Sequence, residues 1–341
     1  MSDQFEIVSI PSVFETAPAV LDCFAEKIQK GLKVKIGNEF FIVGDLALNE
    51  GTQPHKEVNS APNDLDYQLL MTSALLVSST KLGNPLTVTT GFPYASYQVN
   101  KDMAMENLVK DHLVEYDASV FSSGGTKKIV IEVKRGAILP EVSASANAIR
   151  HILNLEGDFM ALSLGYGTFE TILSNADGEF GLQRTASSSP GIVYALDILR
   201  KDLFKLHPST MISDAFLDEG LRNGYIFLNR KKVDIMDLRK KALTMYYENV
   251  ISPTMKKAFT DREFARSSGI YLSGGGALYP ELIALFKQEF DGVIDVVVPD
   301  NPNHLAAKGY CLRSSKLNGD KVQAVGIDLG NSSTIVCTYK Q

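Results

Sequence analysis

The chain has 341 residues, enough for two domains with sizeable cores. Its 45% hydrophobic and 22% charged residues are those of an ordinary globular protein and exclude a low-complexity tail. With 34 basic and 40 acidic side chains the net charge is −6, which argues against broad charge-driven binding to DNA or RNA.

Cys23, Cys311 and Cys337 lie too far apart for a CxxC motif, and an odd count completes no disulfide framework. The five histidines form no HExxH pattern. No apolar run reaches membrane-spanning length, and the first residues carry acids where a secretory leader carries bases. A reducing, cytoplasmic setting without a membrane span is therefore expected.

In chain order, IVSIPSVF (7–14) reads as a strand, followed by a loop or helix-like stretch to Gly31. KVKIGNEFFIVGDLAL (33–48) holds two β-rich runs around Gly37-Asn38, a hairpin signal. After a polar loop, 67–79 places apolar residues at helical spacing. LTVTTGFP (86–93) and KKIVIEVKRGAIL (127–139) read as strands, and 143–155 as a helix. Residues 159–174 form strand, glycine turn and strand, continued by a turn at 175–178 and a β-like run, EFGLQRTAS. A helix is expected over 189–206 with its proline near the first turn, and a long helical region over 233–260, interrupted at Pro253. Residues 269–290 read as strand, glycine turn and helix, 293–300 as a strand, and 304–315 as a helix. The chain closes at 321–340 with strand, turn and strand. This mixture predicts an α/β architecture.

Three glycine-bearing turns could hold phosphate. In VGIDLGNSST (325–334), the amides around Gly330, with Asn331, Ser332 and Ser333, could form an anion nest. Asp328 before them suits a hydrated Mg²⁺. In SLGYGTFE (163–170), Gly165, Tyr166, Gly167 and Thr168 repeat the pattern. In SGGGA (273–277), Gly274, Gly275 and Gly276 permit close backbone approach to a planar ligand, with a helix N-terminus following. Taken singly, each reads better as a structural turn. No GxxxxGK[ST] occurs, which excludes a P-loop.

Together, these turns resemble the phosphate 1, phosphate 2 and adenosine motifs of the actin/Hsp70/sugar-kinase ATPase superfamily. The nearest resemblance is to ParM-like bacterial actins. VGDLA (43–47), TGFP (90–93), Leu139-Pro140-Glu141 and IPSVF (10–14) each resemble a segment of that group. The resemblance implies a two-domain actin-like (ribonuclease H-like) fold with a central nucleotide cleft. Domain I would be 1–140 plus 301–341, and domain II 141–300. The motif order differs from the family's: phosphate 1 comes last, and joining Gln341 to Met1 would restore the usual sequence. A circular permutation is therefore expected.

The resemblance further implies ATP or GTP with Mg²⁺ as cofactors. Asp328 would hold the metal through water, and Glu141 would position the attacking water. Gly330–Ser333, Gly165–Thr168 and Gly274–Gly276 would bind the nucleotide. Where the family's phosphate 2 motif starts with Asp, this chain has Ser163, so slow hydrolysis is expected. Glu170, matching the family's second acid, is expected to face elsewhere. The implied function is a filament-forming ATPase, polymerising with itself and moving plasmid or other DNA through a DNA-bound adaptor protein. The alternative is a non-polymerising actin-fold nucleotide binder, either an adaptor or a small-molecule kinase.

Overall fold

The computed structural model describes residues 4–18, 21, 25–55, 61–121, 124–177, 189–208 and 212–340. Cys23 and the expected β-like run at 179–187 lie outside them. The chain divides into two compact units, Met1–Ala148 with Ala306–Gln341, and Ile149–Leu305.

The first unit is built on a nine-stranded sheet. Its strands follow the order Phe5–Pro11, Ser333–Tyr339, Ala324–Leu329, Leu86–Phe92, Thr126–Pro140, Asp111–Asp117, Lys33–Ile36, Glu39–Val43 and Phe14–Thr16. Ala324–Leu329 and Ser333–Tyr339 form an antiparallel hairpin. Phe5–Pro11 runs antiparallel along the hairpin's outer strand, from Phe5 opposite Tyr339 to Pro11 opposite Ser333. The inner strand lies parallel to Leu86–Phe92, which is parallel to Thr126–Pro140.

Alternation along Ala324–Leu329 separates two faces. Val325 and Ile327 join a core with Leu69, Leu75 and Val88, beneath the helix Leu65–Leu82. Gly326 and Asp328 take the other face, where the helix Leu305–Asn318 lies. A Cβ at Gly326 would sit 2.1 Å from the Ala307 carbonyl oxygen, so the helix rests directly on the strand's backbone. Ser314 Oγ fastens it by donating to the Val325 carbonyl at 2.7 Å. The same helix meets the helix Glu141–Leu153, because Gly309 has no Cβ; one built there would lie 1.9 Å from the Ala144 carbonyl oxygen.

The second unit has a five-stranded sheet, ordered Ser189–Pro190, Thr168–Ser174, Asp158–Leu164, Ser267–Ser273 and Val296–Val297. One face carries Met160, Leu162, Leu164, Phe169 and Leu173 into a core with the helices Val193–Leu206, Met236–Tyr246 and Pro280–Glu289. Against the opposite face, Arg150 stacks its guanidinium over Phe159 at 4.7 Å and donates to Ser174 Oγ at 2.7 Å. A separate hairpin joins Tyr225–Leu228 to Lys231–Asp234.

Several local expectations change. Pro190 belongs to the two-residue strand rather than to the following helix, which starts at Val193. The helical region does not break at Pro253. A π-turn over Tyr247–Ile251 absorbs the irregularity, and Pro253 falls in the first turn of Ser252–Ala258, where its missing N–H costs little. Only Val296–Val297 of the expected 293–300 strand is paired.

Candidate functional site

In the first unit, the turn after Asp328 is held from outside its own hairpin. Ser12 is buried. Its Oγ donates to the Gly330 carbonyl at 2.6 Å and lies 3.1 Å from Thr334 Oγ1. Its amide donates to the Ser332 carbonyl at 3.2 Å. Two carbonyls of the 330–332 turn are thereby fixed in direction. Gly330, Asn331, Ser332 and Ser333 are all half-buried, so they keep some surface toward solvent.

Glu141 begins its helix immediately after Pro140 ends the longest strand. Leu139 and Pro140 pair with Gly91 and Phe92 of the parallel neighbour, which sets where the helix starts. Buried Tyr310 packs where Gly91 has no side chain: a Cβ there would lie 2.3 Å from its hydroxyl oxygen. The structure brings Glu141 and Asp328 close enough to influence each other. Burial pushes the Asp328 carboxyl well above the usual aspartate range, and the Glu141 carboxylate raises it further. Two acids that oppose each other's ionisation suit a hydrated divalent cation, which would relieve both burial and repulsion.

In the second unit, Gly165, Tyr166, Gly167 and Thr168 form the turn between two paired strands. The Gly165 amide donates to the Thr168 carbonyl at 2.9 Å. The turn's other carbonyls are taken up by residues 191–193. Gly191 N–H bonds Gly167 O at 3.0 Å, Ile192 N–H bonds Gly165 O at 3.1 Å, and Val193 N–H bonds Tyr166 O at 2.9 Å. In a trans peptide the carbonyl of one residue and the amide of the next point in opposite directions. The N–H groups of Tyr166, Gly167 and Thr168 are therefore turned away from 191–193, as an anion nest requires. Burial, followed by the charge of Asp218, pushes the Tyr166 hydroxyl up to about 12, which keeps it protonated.

The glycine triplet meets this turn. Gly274 has φ +83°, and a Cβ there would lie 2.6 Å from the Leu164 carbonyl oxygen. A Cβ at Gly276 would lie 2.7 Å from Leu164 Cβ, whereas Gly275 faces open space. The triplet leads into a 3-10 turn, Gly275–Leu278, and the α-helix follows only at Pro280. The helix N-terminus is thus farther from the glycines than the sequence suggests.

Two supporting residues escape sequence reasoning. Ser12 was visible only as part of a strand pattern, and Gly191 only as a glycine after Pro190. Glu170 corrects an expectation. It stands directly opposite Ser163 in the antiparallel register and hence shares its face of the sheet. Among the described residues no cluster of three or more His, Cys, Asp or Glu could hold a metal, and no helix is long and apolar enough to cross a membrane.

Residues 1–142 match the family model for the N-terminal domain of actin-like proteins. The chain is similar to Ta0583, an archaeal actin homologue, with TM-score 0.69 and 17% identity over 91% of this chain and 92% of that one. Ta0583 has also been solved in complex with ADP. A non-polymerisable quadruple mutant of pCBH ParM gives TM-score 0.72 and 19% identity over 90% of this chain and 92% of that one. A 15-stranded ParM filament from Clostridium botulinum gives TM-score 0.69 and 16% identity over the same shares. No curated protein sequence matches the chain.

Proposed function

We propose that this chain, whose residues 1–142 match the N-terminal domain of actin-like proteins and whose fold resembles that of ParM, is a nucleotide-dependent, filament-forming actin-like ATPase. The observation that carries this reading is the pairing of Asp328 and Glu141 beside the braced 330–333 turn. In this reading Asp328 holds a hydrated Mg²⁺. The amides and hydroxyls of Gly330–Ser333, with the amides of Gly165–Thr168, hold the phosphates of ATP or GTP. Gly274–Gly276 accept the nucleoside.

Magnesium, when bound, would neutralise charge on the phosphates. Glu141 accepts a hydrogen bond from the attacking water and orients it toward the terminal phosphorus. Such positioning carries much of the catalysis in phosphoryl transfer. Ser163 contributes no charge, and hydrolysis is slow on that account.

The ParM filament and the ADP-bound Ta0583 support the filament and nucleotide readings by likeness of fold. A net charge of −6 disfavours direct binding to DNA, so any plasmid or other DNA cargo is reached through a DNA-bound adaptor protein. The motif order is read as a circular permutation. In support, Phe5–Pro11 lies beside the late hairpin, and Ser12 braces its turn.

Phosphate release by the wild type and Glu141→Ala tests the enzymatic reading, with at least a tenfold loss expected from removing a water-positioning group. Equal rates would remove Glu141 from the reaction. Electron microscopy with ATP and magnesium tests assembly: filaments are expected, and a persistent monomer at high concentration would favour the non-polymerising alternative.

A further inference from the structure

The first unit holds a cavity of about 210 Å³ that nucleotide binding does not use. Its wall comes from the helices Leu65–Leu82 and Tyr94–Leu108 and the strands Lys33–Ile36 and Asp111–Asp117. Ile36, Met71, Ala104 and Leu108 make part of that wall apolar. A dry cavity of about 150 Å³ already admits a benzene ring, so this one has room for a small fused ring.

Polar side chains share this wall, and several have fixed hydrogen-bonding roles. Tyr67 is buried, its ring stacked on Phe92 with centroids 5.8 Å apart. Its hydroxyl meets no hydrogen-bond partner among the described residues. Burial pushes this phenol's pKa up, so it stays an O–H donor. A buried hydroxyl left unmet is costly, and pairing it recovers that cost. His112 Nε2 lies 2.9 Å from the Leu108 carbonyl oxygen. A carbonyl only accepts, so the proton is on Nε2 and Nδ1 is left as an acceptor. Burial lowers the His112 pKa, which keeps the ring neutral. Gln68 Nε2 donates to the Asn63 carbonyl at 3.1 Å, and Asn107 Nδ2 to Asn63 Oδ1 at 3.2 Å. Each amide thus keeps its side-chain carbonyl as an acceptor. Lys110 also lines the cavity but is exposed, so water screens much of its charge. The wall accordingly offers the Tyr67 donor and several neutral acceptors beside an apolar surface.

We infer that this cavity is a binding site for a small, neutral heteroaromatic ring carrying both an N–H donor and a ring-nitrogen or carbonyl acceptor. The acceptor takes the Tyr67 O–H. The N–H is taken by His112 Nδ1 or by the side-chain carbonyl of Gln68 or Asn107. Met71 and Leu108 supply the apolar surface for the ring, and the Met71 sulfur suits an aromatic partner. A few convergent polar groups on an apolar wall are what a small-molecule site requires. All of these residues belong to the first unit, and the site is independent of nucleotide binding.

Benzimidazole is the probe, since it carries one N–H and one bare ring nitrogen. Indole, of the same size, lacks the bare nitrogen, and N-methylbenzimidazole lacks the N–H. Each is titrated by NMR into the full chain, isotope-labelled at its methionine methyls. The Met71 methyl signal, identified by its loss in Met71→Leu, reports occupancy. Benzimidazole is expected to bind about three- to tenfold more tightly than either relative, the yield of one hydrogen bond. Tyr67→Phe removes only the unmet hydroxyl, so it is expected to melt no lower than the wild type. It is nevertheless expected to bind benzimidazole no more tightly than indole, whereas a merely structural hydroxyl would leave that preference unchanged. Ala104→Met fills the cavity and is expected to abolish binding of all the probes; it carries the test if Tyr67→Phe does not fold. Equal affinities for the probes in the wild type, or a Met71 signal that none of them moves, would overturn the inference. So would a benzimidazole preference that survives in folded Tyr67→Phe, or wild-type binding in folded Ala104→Met. Failure of ATP to bind would overturn the functional reading and leave this inference standing.

Discussion

Ser12 Oγ donates to the carbonyl of Gly330 at 2.6 Å across 318 sequence positions. This one side chain ties an early segment to the turn beside Asp328. With its amide on Ser332 O, it fixes which way the turn's peptides point. Ser12→Ala removes the donor to the half-buried Gly330 carbonyl and strands the buried Thr334 hydroxyl. The expected loss is about 1–3 kcal/mol of stability, measured by denaturant unfolding. The same variant is expected to bind ATP more weakly, because the turn's amides are no longer held in place. Unchanged stability and affinity would show that the hairpin sets its own turn.

Asp328 is expected to make the nucleotide-free protein less stable than it could be. Its carboxyl sits above the usual aspartate range because of burial and, secondarily, Glu141. The folded state then holds its proton more tightly than the unfolded chain does. That contribution to stability is complete below the unfolded pKa and is lost as pH rises through the folded one. At neutral pH Asp328→Asn is therefore expected to melt higher than the wild type by a few degrees. The gap is expected to close as pH falls toward about 4, the unperturbed aspartate value, where both side chains become neutral. A gap that is absent at neutral pH, or that widens on acidification, would contradict the placement of this carboxyl.

The second turn depends on bare backbone at Gly191. A Cβ there would lie 2.4 Å from Gly165 O and 2.6 Å from Tyr166 O. Gly191→Ala is expected to push residues 191–193 off the turn and break the hydrogen bonds that aim its amides, at a cost of about 1–3 kcal/mol. Gly275→Ala is the contrast: nothing lies within 4 Å of its added Cβ, so its stability is expected to stay within about 0.5 kcal/mol of the wild type. Thermal melts of the two, side by side, check the prediction.

Much of this was legible in the residues themselves. Strand–glycine–strand patterns at 325–334 and 163–170 were readable because apolar runs flank turns that need small residues. The helix Tyr94–Leu108 and the strand Asp111–Asp117 were not. That helix buries only Ala104 and Leu108, which leaves little helical periodicity to read, and the strand exposes Leu113 while burying Val114, which blurs its alternation. Pro190 looked like a helix start because local rules place proline there. Tertiary demand prevails instead, since the amides of residues 191–193 serve the turn at 165–167. The braces from Ser12 and Gly191 are tertiary contacts, and no local pattern announces them. Glu170 was readable as a residue but not as a neighbour of Ser163, because its facing depends on the register of the hairpin.

In the proposed function the chain binds a purine triphosphate through its three glycine-bearing turns. Equilibrium titration of ATP and of GTP into the folded chain, with magnesium present, tests it most directly. Saturable binding of one nucleotide per chain, weakened by Ser12→Ala and by Gly191→Ala, is the predicted result. No saturable binding of either nucleotide to a chain that circular dichroism shows to be folded would contradict it.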